Sequence, residues 1–174
     1  ICRNPRSPEV VVIDPRATET ATAATVHLAP RPTTDLTLLY GLARTLIELD
    51  AVDHRFVADH TEGFEAFAAH VRAFTAERVE AATGVPEPQV RHLAEAIAGA
   101  EATSFWWTMG VNQSHQGVRT AQAIIDLALL TGNLGRPGTG ANSITGQCNA
   151  MGSRLFSNTT SLLGGHDFAD PARR

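Results

Sequence analysis

The segment Glu9–Asp14 constrains the fold most strongly, because it is a short β-branched run between two prolines. Val10 to Ile13 are four consecutive apolar residues, and Pro8 and Pro15 bound them. A continuous apolar run of this length is typical of a strand that is buried on both faces, as in parallel sheets. The segment therefore predicts a parallel sheet at the centre of the fold.

The elements that follow predict helices around this sheet. Val26–Ala29 has the pattern of a second strand, and Thr33-Thr34-Asp35 can cap a helix whose apolar face runs to Leu46. Between residues 53 and 100 the apolar positions recur every three or four residues and are punctuated by glycine and proline, which predicts three or four short helices. A proline pair, Pro86 and Pro88, marks the start of the last of them.

A strand and a long helix complete the pattern. Ala102–Thr108 predicts a third buried strand with an exit loop at Met109–Gln113, and Val118–Leu130 predicts a largely buried helix. This order predicts an α/β layered domain with a mainly parallel sheet flanked by helices, as in dinucleotide-binding domains. We expect residues 1–140 to form it, with a helical insertion at about 53–100. Residues 141–174 are expected to be a polar loop segment that leads out of it.

Composition excludes several classes of partner. A net charge of −4 with a pI near 6.0 provides no basic stripe, so nucleic acid is not expected to bind. The sequence has no apolar run long enough to span a membrane, its first residues lack the apolar core of a signal peptide, and its start at Ile1 indicates a fragment. All fourteen basic residues are arginines, which excludes a phosphate-loop lysine.

No metal site is predicted within the chain. Cys2 and Cys148 are far apart and form no Cys-x-x-Cys pair, and the seven histidines show no His-Glu-x-x-His spacing. Asp53, His54, Asp59 and His60 are expected to lie on the wet face of a short helix rather than in a catalytic group.

Three loops rich in glycine, amides and hydroxyls indicate a ligand. They are Trp107–Gln113, Thr131–Gly138 and Gly146–Gly152. Glycine lets the backbone approach a ligand closely, and uncharged amides donate and accept hydrogen bonds, which suits a large polar cofactor. Because ligands of parallel sheets collect at the carboxyl ends of strands, we expect Asp14–Thr18 and Met109–Gln113 to share one rim.

Each of these features also has a purely structural interpretation. Asp14 can bind a ribose or a guanine edge, or it can cap its own turn. Met109 can serve loop packing, Gln113 can cap a loop, and Gly132 can end a helix in the left-handed conformation. The glycine-rich stretch Gly135–Gly140 follows a helix instead of a strand, so it lacks the context of a Rossmann fingerprint.

Four motifs together resemble the molybdopterin oxidoreductase family, in order and spacing. The first three are Val11–Arg16, Pro32–Leu36 and Trp107–Gln113, and the fourth is Leu129–Gly138. The segment Ser143–Arg154 is similar to the assimilatory nitrate reductases in particular. The resemblance covers nearly the whole chain from Glu9 onward.

The resemblance implies a molybdenum ion held by two molybdopterin guanine dinucleotides, Mo-bis(molybdopterin guanine dinucleotide), one of which this region cradles. The nucleotide end would be contacted by Asp14, Pro15, Arg16, Ala17 and Thr18, with Thr33, Thr34 and Asp35 beside it. Met109, Gly110 and Gln113 would lie along the pterin or pyrophosphate, and Gln147 would approach the second dithiolene, near the metal.

Thr145 favours nitrate as the substrate. Formate dehydrogenases of the family usually carry an arginine just before the Gly-Gln pair, whereas Thr145 lacks that cation. Arg154 can supply positive potential for an anionic substrate, or it can bind a cofactor phosphate or a carboxylate. The implied reaction is the reduction of nitrate to nitrite by oxygen-atom transfer.

The resemblance also implies parts that this chain lacks. An iron-sulfur cysteine motif for a 4Fe-4S cluster, the cysteine that ligates molybdenum and a carboxyl-terminal β domain are absent, so the fragment alone is expected to be inactive. The family further implies an electron donor protein or domain and a cytoplasmic location. The alternatives are a formate dehydrogenase-like or other molybdopterin oxidoreductase, and a non-catalytic nucleotide-binding module.

Overall fold

The computed structural model describes residues 7–144, 146, 148–155, 162–163, 166–167 and 170–173. The chain divides into two compact units, Ile1–Asn142 and Ser143–Arg174. The division into a cofactor-cradling domain over 1–140 and a loop segment over 141–174 remains a prediction.

The first unit is an alternation of short strands and helices. Its elements are β1 (Val11–Ile13), α1 (Glu19–Thr22), β2 (Val26–Leu28), α2 (Asp35–Glu48), α3 (His54–His60), α4 (Phe64–Val71), α5 (Ala76–Thr83), α6 (Glu87–Gly99), β3 (Ser104–Trp107), α7 (Met109–Asn112), α8 (Gly117–Leu130) and β4 (Gly140–Ser143), whose last residue belongs to the second unit. The described part of the second unit contains α9 (Ala150–Leu155), β5 (Leu162–Leu163), β6 (His166–Asp167) and a 3-10 helix (Pro171–Arg173).

The strands pair two by two. β1 and β2 are parallel, with Val11 opposite Val26 and Ile13 opposite Leu28. β3 pairs with β4, and β5 pairs with β6 in the antiparallel sense. The predicted α/β class is confirmed, but β1 and β3 lie in separate two-stranded sheets within the described residues, rather than in one common sheet.

Helix α2 is the centre of the core. It packs against α4, α5, α6 and α8. Three of its leucines, Leu38, Leu42 and Leu46, are almost completely buried. They follow one another at intervals of four residues, which places them on one face of the helix. Each buried leucine contributes about 1.5–3 kcal/mol through removal of apolar surface from water.

Three of the five helices between β2 and β3 begin at recognisable local signals. The Asp53 carboxylate accepts a hydrogen bond from the Phe56 N–H at 2.9 Å and caps α3. Thr75 caps α5, and α6 starts after Pro86, with Pro88 in its first turn. Asp53, His54, Asp59 and His60 are exposed, so the predicted wet face of a short helix is confirmed.

Several local predictions were wrong. Residues Val11–Ile13 are half-buried instead of fully buried, and β3 alternates between half-buried and exposed residues, with Trp106 54% exposed. The predicted exit loop after β3 is the short helix α7, because four residues are too few to show a helical period. Strand β4 lies in a stretch predicted to be loop. None of the described helices is long and apolar enough to cross a membrane.

Candidate cofactor-binding loops

The turn after β1 is organised by Asp14. Its backbone N–H donates to the Leu28 carbonyl at 3.1 Å, which continues the β1–β2 ladder by one bond. Its Oδ1 accepts a hydrogen bond from the Arg16 N–H at 2.8 Å. Asp14 therefore caps its own turn, as one of the two interpretations expected. Within the described residues, Oδ2 accepts no hydrogen bond. This oxygen can therefore accept a hydrogen bond from a ligand.

The rest of this turn faces solvent. Pro15, Arg16 and Ala17 are exposed, whereas Asp14 and Thr18 are half-buried. The Thr18 hydroxyl accepts a hydrogen bond from the Ala21 N–H at 3.2 Å and caps α1. The turn is thus closed by a side-chain hydrogen bond at each end, and three accessible residues lie between them.

The exits of β1 and β2 lie side by side. The two strands are parallel neighbours, and the His27 ring Nε2 lies 2.8 Å from the Asp14 carbonyl oxygen. The segment that leaves β2 reaches Thr33, Thr34 and Asp35, where α2 begins. Because the strands are parallel, the Asp14–Thr18 turn and the Thr33–Asp35 segment both follow strands that end at the same edge of the sheet.

Thr33 adopts a left-handed backbone conformation, with φ of 72°. A β-branched residue rarely occupies this region, and such strain is held by the surrounding structure. The next hydroxyl, on Thr34, donates to the Arg31 carbonyl at 2.7 Å, and the Arg31 N–H donates to the Thr83 carbonyl at 2.7 Å. These bonds anchor the segment to the end of α5 and leave the Thr33 side chain exposed.

The segment after β3 offers an exposed amide. Gln113 follows α7 directly, its side chain is exposed, and its carboxamide has no hydrogen-bond partner within the described residues. Open space surrounds the position that a Cβ would occupy on Gly110. Met109, at the start of α7, is half-buried. The segment is held locally, because the Trp107 indole N–H donates to Asn112 Oδ1 at 3.0 Å.

The loop after α8 contains a buried polar residue that the sequence did not identify. Asn133 is 4% exposed, its Oδ1 accepts from the Thr103 N–H at 2.9 Å, and its Nδ2 donates to Thr131 Oγ1 at 2.8 Å. Gly132 has φ of 63°, which confirms the predicted left-handed helix end. An amide immediately after such a glycine was the available sequence signal.

Arg136 stabilises the same loop through backbone carbonyls. Its Nε donates to the Gly132 carbonyl at 3.3 Å, and its Nη1 donates to the Glu101 carbonyl at 3.4 Å. The loop that carries the glycine-rich motif is therefore fixed to the segment that precedes β3.

Not all predicted contacts are brought together. The Asp14–Thr18 turn and the Thr33–Asp35 segment leave adjacent strands, whereas Met109, Gly110 and Gln113 follow a strand of another sheet. Their convergence on one ligand remains a prediction. Thr145 and Gln147 lie outside the described residues, as does the Arg154 side chain. No group of three or more metal-ligating side chains is present in the part of the chain that the structure describes.

A known enzyme shares the fold. Acetylene hydratase from Pelobacter acetylenicus superposes with a TM-score of 0.73 over 76% of this chain and 18% of that enzyme, at 25% sequence identity. Residues 3–171 match the family model of the molybdopterin oxidoreductases. The chain therefore belongs to the molybdopterin oxidoreductase family.

Two kinds of relative are similarly close in sequence. Nitrate reductase from Synechocystis is 39% identical over 91% of this chain, and the assimilatory nitrate reductase of Haloferax mediterranei is 39% identical over 95%. Formate dehydrogenase H from Escherichia coli is 38% identical over 95%. The chain spans 22–23% of the length of these relatives.

Proposed function

We propose that this chain is the part of a molybdenum-dependent nitrate reductase that binds one molybdopterin guanine dinucleotide. The observation that carries the proposal is the pair of adjacent strand exits, where an accessible turn presents a carboxylate oxygen that accepts no hydrogen bond from any residue that the structure describes. Membership of the molybdopterin oxidoreductase family supports the pterin, and the two nitrate reductases among the relatives support the substrate.

The residues fit the nucleotide end of such a cofactor. The edge of guanine presents N–H groups that can donate hydrogen bonds to a carboxylate. Asp14 Oδ2 can accept such a bond. Arg16 and Ala17 are exposed in the same turn, and Thr33 is exposed on the segment that follows β2. This fit requires no lysine, because backbone amides and the Arg16 guanidinium can bind phosphate oxygens.

Gln113 and Gly110 fit the polar middle of the cofactor. The exposed carboxamide of Gln113 can donate to a pyrophosphate or pterin oxygen, and the open space at Gly110 allows the backbone to be approached closely. We place Met109 along the same part of the cofactor and Gln147 nearer to the metal.

When bound, the molybdenum dithiolene group supplies the oxygen-atom transfer that converts nitrate to nitrite. The residues of this chain bind and orient that group. Thr145 and Arg154 are proposed to lie at the substrate pocket, where Arg154 adds positive potential for an anion. We further propose a 4Fe-4S cluster elsewhere in the protein, an electron donor protein or domain, and a cytoplasmic location.

Substitution of Asp14 tests the nucleotide contact. In the intact protein, Asp14→Asn keeps one oxygen that can accept from Arg16 but loses the charge, and Asp14→Ala loses both. We expect molybdenum and released guanine nucleotide per protein to fall at least tenfold in Asp14→Ala and less in Asp14→Asn, since charged hydrogen bonds are the stronger ones. Asp59→Ala, an exposed carboxylate on α3, is the matched control. Full cofactor content in Asp14→Ala would contradict the proposal.

A formate dehydrogenase-like activity is the second candidate, because formate dehydrogenase H is as similar as the nitrate reductases. Thr145→Arg distinguishes the two. We expect the intact wild-type protein to reduce nitrate with an artificial electron donor, and the arginine variant to reduce it at a markedly lower rate. Unchanged nitrate turnover would remove the argument from Thr145. If the intact protein oxidises formate and does not reduce nitrate, the proposed substrate is formate instead of nitrate.

A non-catalytic nucleotide-binding module is the candidate from another class. Elemental analysis of the purified intact protein separates it from the enzyme. A folded protein that binds guanine nucleotide but contains no molybdenum or pterin would favour the module.

A further inference from the structure

A cleft between α8 and the α3–α4 connection lies apart from the strand exits. It has a volume of about 80 Å³, and its lining includes Thr61, Glu62, Phe64, Phe67, Asp126 and Leu129. A single water needs roughly 10–15 Å³ of such volume, so the cleft has room for a group of several heavy atoms.

Asp126 is the unusual member of this lining. It is half-buried on α8, and desolvation by the surrounding side chains raises the pKa of its carboxyl group. Within the described residues it takes part in no hydrogen bond and no ion pair. A half-buried carboxylate without a partner is costly, because the charge is partly removed from water without compensation. The site therefore favours a positively charged group that approaches from solvent.

No arginine of the described part pairs with Asp126. Arg119 is the basic residue on the same helix, and both it and Asp126 act electrostatically on Tyr40 of α2. Seven residues separate Arg119 from Asp126, or about 10 Å along the axis at 1.5 Å per residue, and the two form no ion pair. Arg55 is paired with Asp59, and Arg44 is paired with Glu48. Asp126 therefore has no cationic partner within the described residues.

The rest of the lining restricts the kind of cation. Phe64 and Phe67 provide aromatic rings, and Leu129 provides an apolar wall, whereas Thr61 already donates its hydroxyl to the Val57 carbonyl at 2.7 Å. A hard metal ion requires several oxygen ligands, which this cleft does not supply. Aromatic rings and a carboxylate together suit an organic cation with an apolar body.

We propose that this cleft binds a small free organic cation of the guanidinium or primary-ammonium class that carries a short alkyl chain. The charged group would lie at Asp126, with Glu62 contributing negative potential, and the alkyl chain would contact Phe64 and Leu129. The cleft is lined by α3, the α3–α4 connection, α4 and the end of α8, and its volume of about 80 Å³ suits a small molecule better than a polypeptide segment. This site is independent of the proposed cofactor contacts.

The test uses the intact protein and a pair of ligands of the same shape. Saturation-transfer NMR titrations compare n-butylguanidinium chloride with n-butylurea, which has the same alkyl chain and no charge. We expect saturable binding of the cation and at least tenfold weaker binding of the urea. Equal affinities, or no saturable binding of the cation, would overturn the proposal.

Asp126→Asn provides a second measurement. Circular dichroism first checks that the variant is folded, which we expect because the substitution removes an uncompensated charge. The variant should bind n-butylguanidinium at least tenfold more weakly, whereas Asp59→Asn on the exposed side of α3 should bind it as the wild type does. Unchanged affinity in Asp126→Asn would assign the binding to another site. The comparison with n-butylurea decides the question even if this variant does not fold.

Discussion

The side-chain oxygen of Asn133 accepts a hydrogen bond from the Thr103 backbone N–H at 2.9 Å and thereby joins the loop after α8 to the segment before β3. Asn133 is 4% exposed and Thr103 is half-buried, so water has little access to this bond. The same side chain donates to Thr131, which fixes the orientation of the amide. One buried residue therefore sets the position of the loop that bears the family's Thr-Gly-Asn motif.

Asn133→Ala should destabilise the intact protein, because it leaves the half-buried Thr103 N–H without its acceptor. We expect a loss of about 1–3 kcal/mol in the free energy of unfolding, measured by urea denaturation. Gln122→Ala, on the exposed side of α8, serves as a control and should change stability by less than about 0.5 kcal/mol. Equal stability of Asn133→Ala and the wild type would show that water replaces the amide at no cost.

Gly132→Ala should be more damaging than Gly135→Ala, although both glycines have positive φ. Each substitution places a Cβ in the left-handed region, at a cost of about 1–2 kcal/mol. At Gly132 the added Cβ would also collide with the Asp53 carboxylate, which caps α3, whereas nothing lies within 4 Å of the equivalent position at Gly135. Thermal unfolding of both variants measures the difference. Similar melting temperatures would argue against the close approach of Gly132 to Asp53.

Thr18→Ala should weaken the turn after β1. The substitution removes the acceptor for the Ala21 N–H, and the loss of such a helix cap typically costs about 1 kcal/mol. If this turn holds the nucleotide end of the cofactor, cofactor retention after dialysis should decrease as well. Thr20→Ala, an exposed position in the same helix, should change neither quantity. If Thr18→Ala is less stable but retains all of its cofactor, the turn does not hold the cofactor.

Asp126 should make stability depend on pH. Burial raises its pKa above the ordinary value of 3.8, so the folded state binds this proton more tightly than the unfolded state. The contribution to stability is present below that value and is lost as the pH rises through the pKa of the folded state. Asp126→Asn should therefore be more stable than the wild type at pH 7, and the difference should shrink towards pH 4. Urea denaturation of both proteins at pH 7 and pH 4 measures this difference. A stability difference between Asp126→Asn and the wild type that is equal at the two pH values would contradict the expectation.

The sequence predicted the long elements well, because their hydrophobic patterns extend over several turns. The apolar face from Leu36 to Leu46 identified α2, and the near-continuous apolar residues of Val118–Leu130 identified α8. The β-branched run before Asp14 and the short run at Val26 identified the parallel pair. These patterns also explain why the β1 turn was correctly placed at a strand exit.

Short elements and buried polar contacts were predicted poorly, because their causes are not local. Met109–Asn112 is a single helical turn, and β4 becomes a strand only by pairing with β3. The exposure of Trp106 reverses the prediction of a buried strand, since an apolar residue by itself does not specify what covers it. The position of Asn133 depends on Thr103, thirty residues earlier, which no pattern in the sequence links to it.

The carboxyl-terminal end of α8 is hydrogen-bonded to two other segments of the domain, so these segments should unfold locally together. The Asp53 N–H donates to the Leu130 carbonyl, the Asn133 N–H donates to the Ala128 carbonyl, and the Asn133 amide holds Thr103. The first turn of α3 and the approach to β3 thus depend on the same helix terminus. We expect the amide protons of Asp53, Thr103 and Asn133 to exchange with deuterium through one cooperative fluctuation, with matching protection factors.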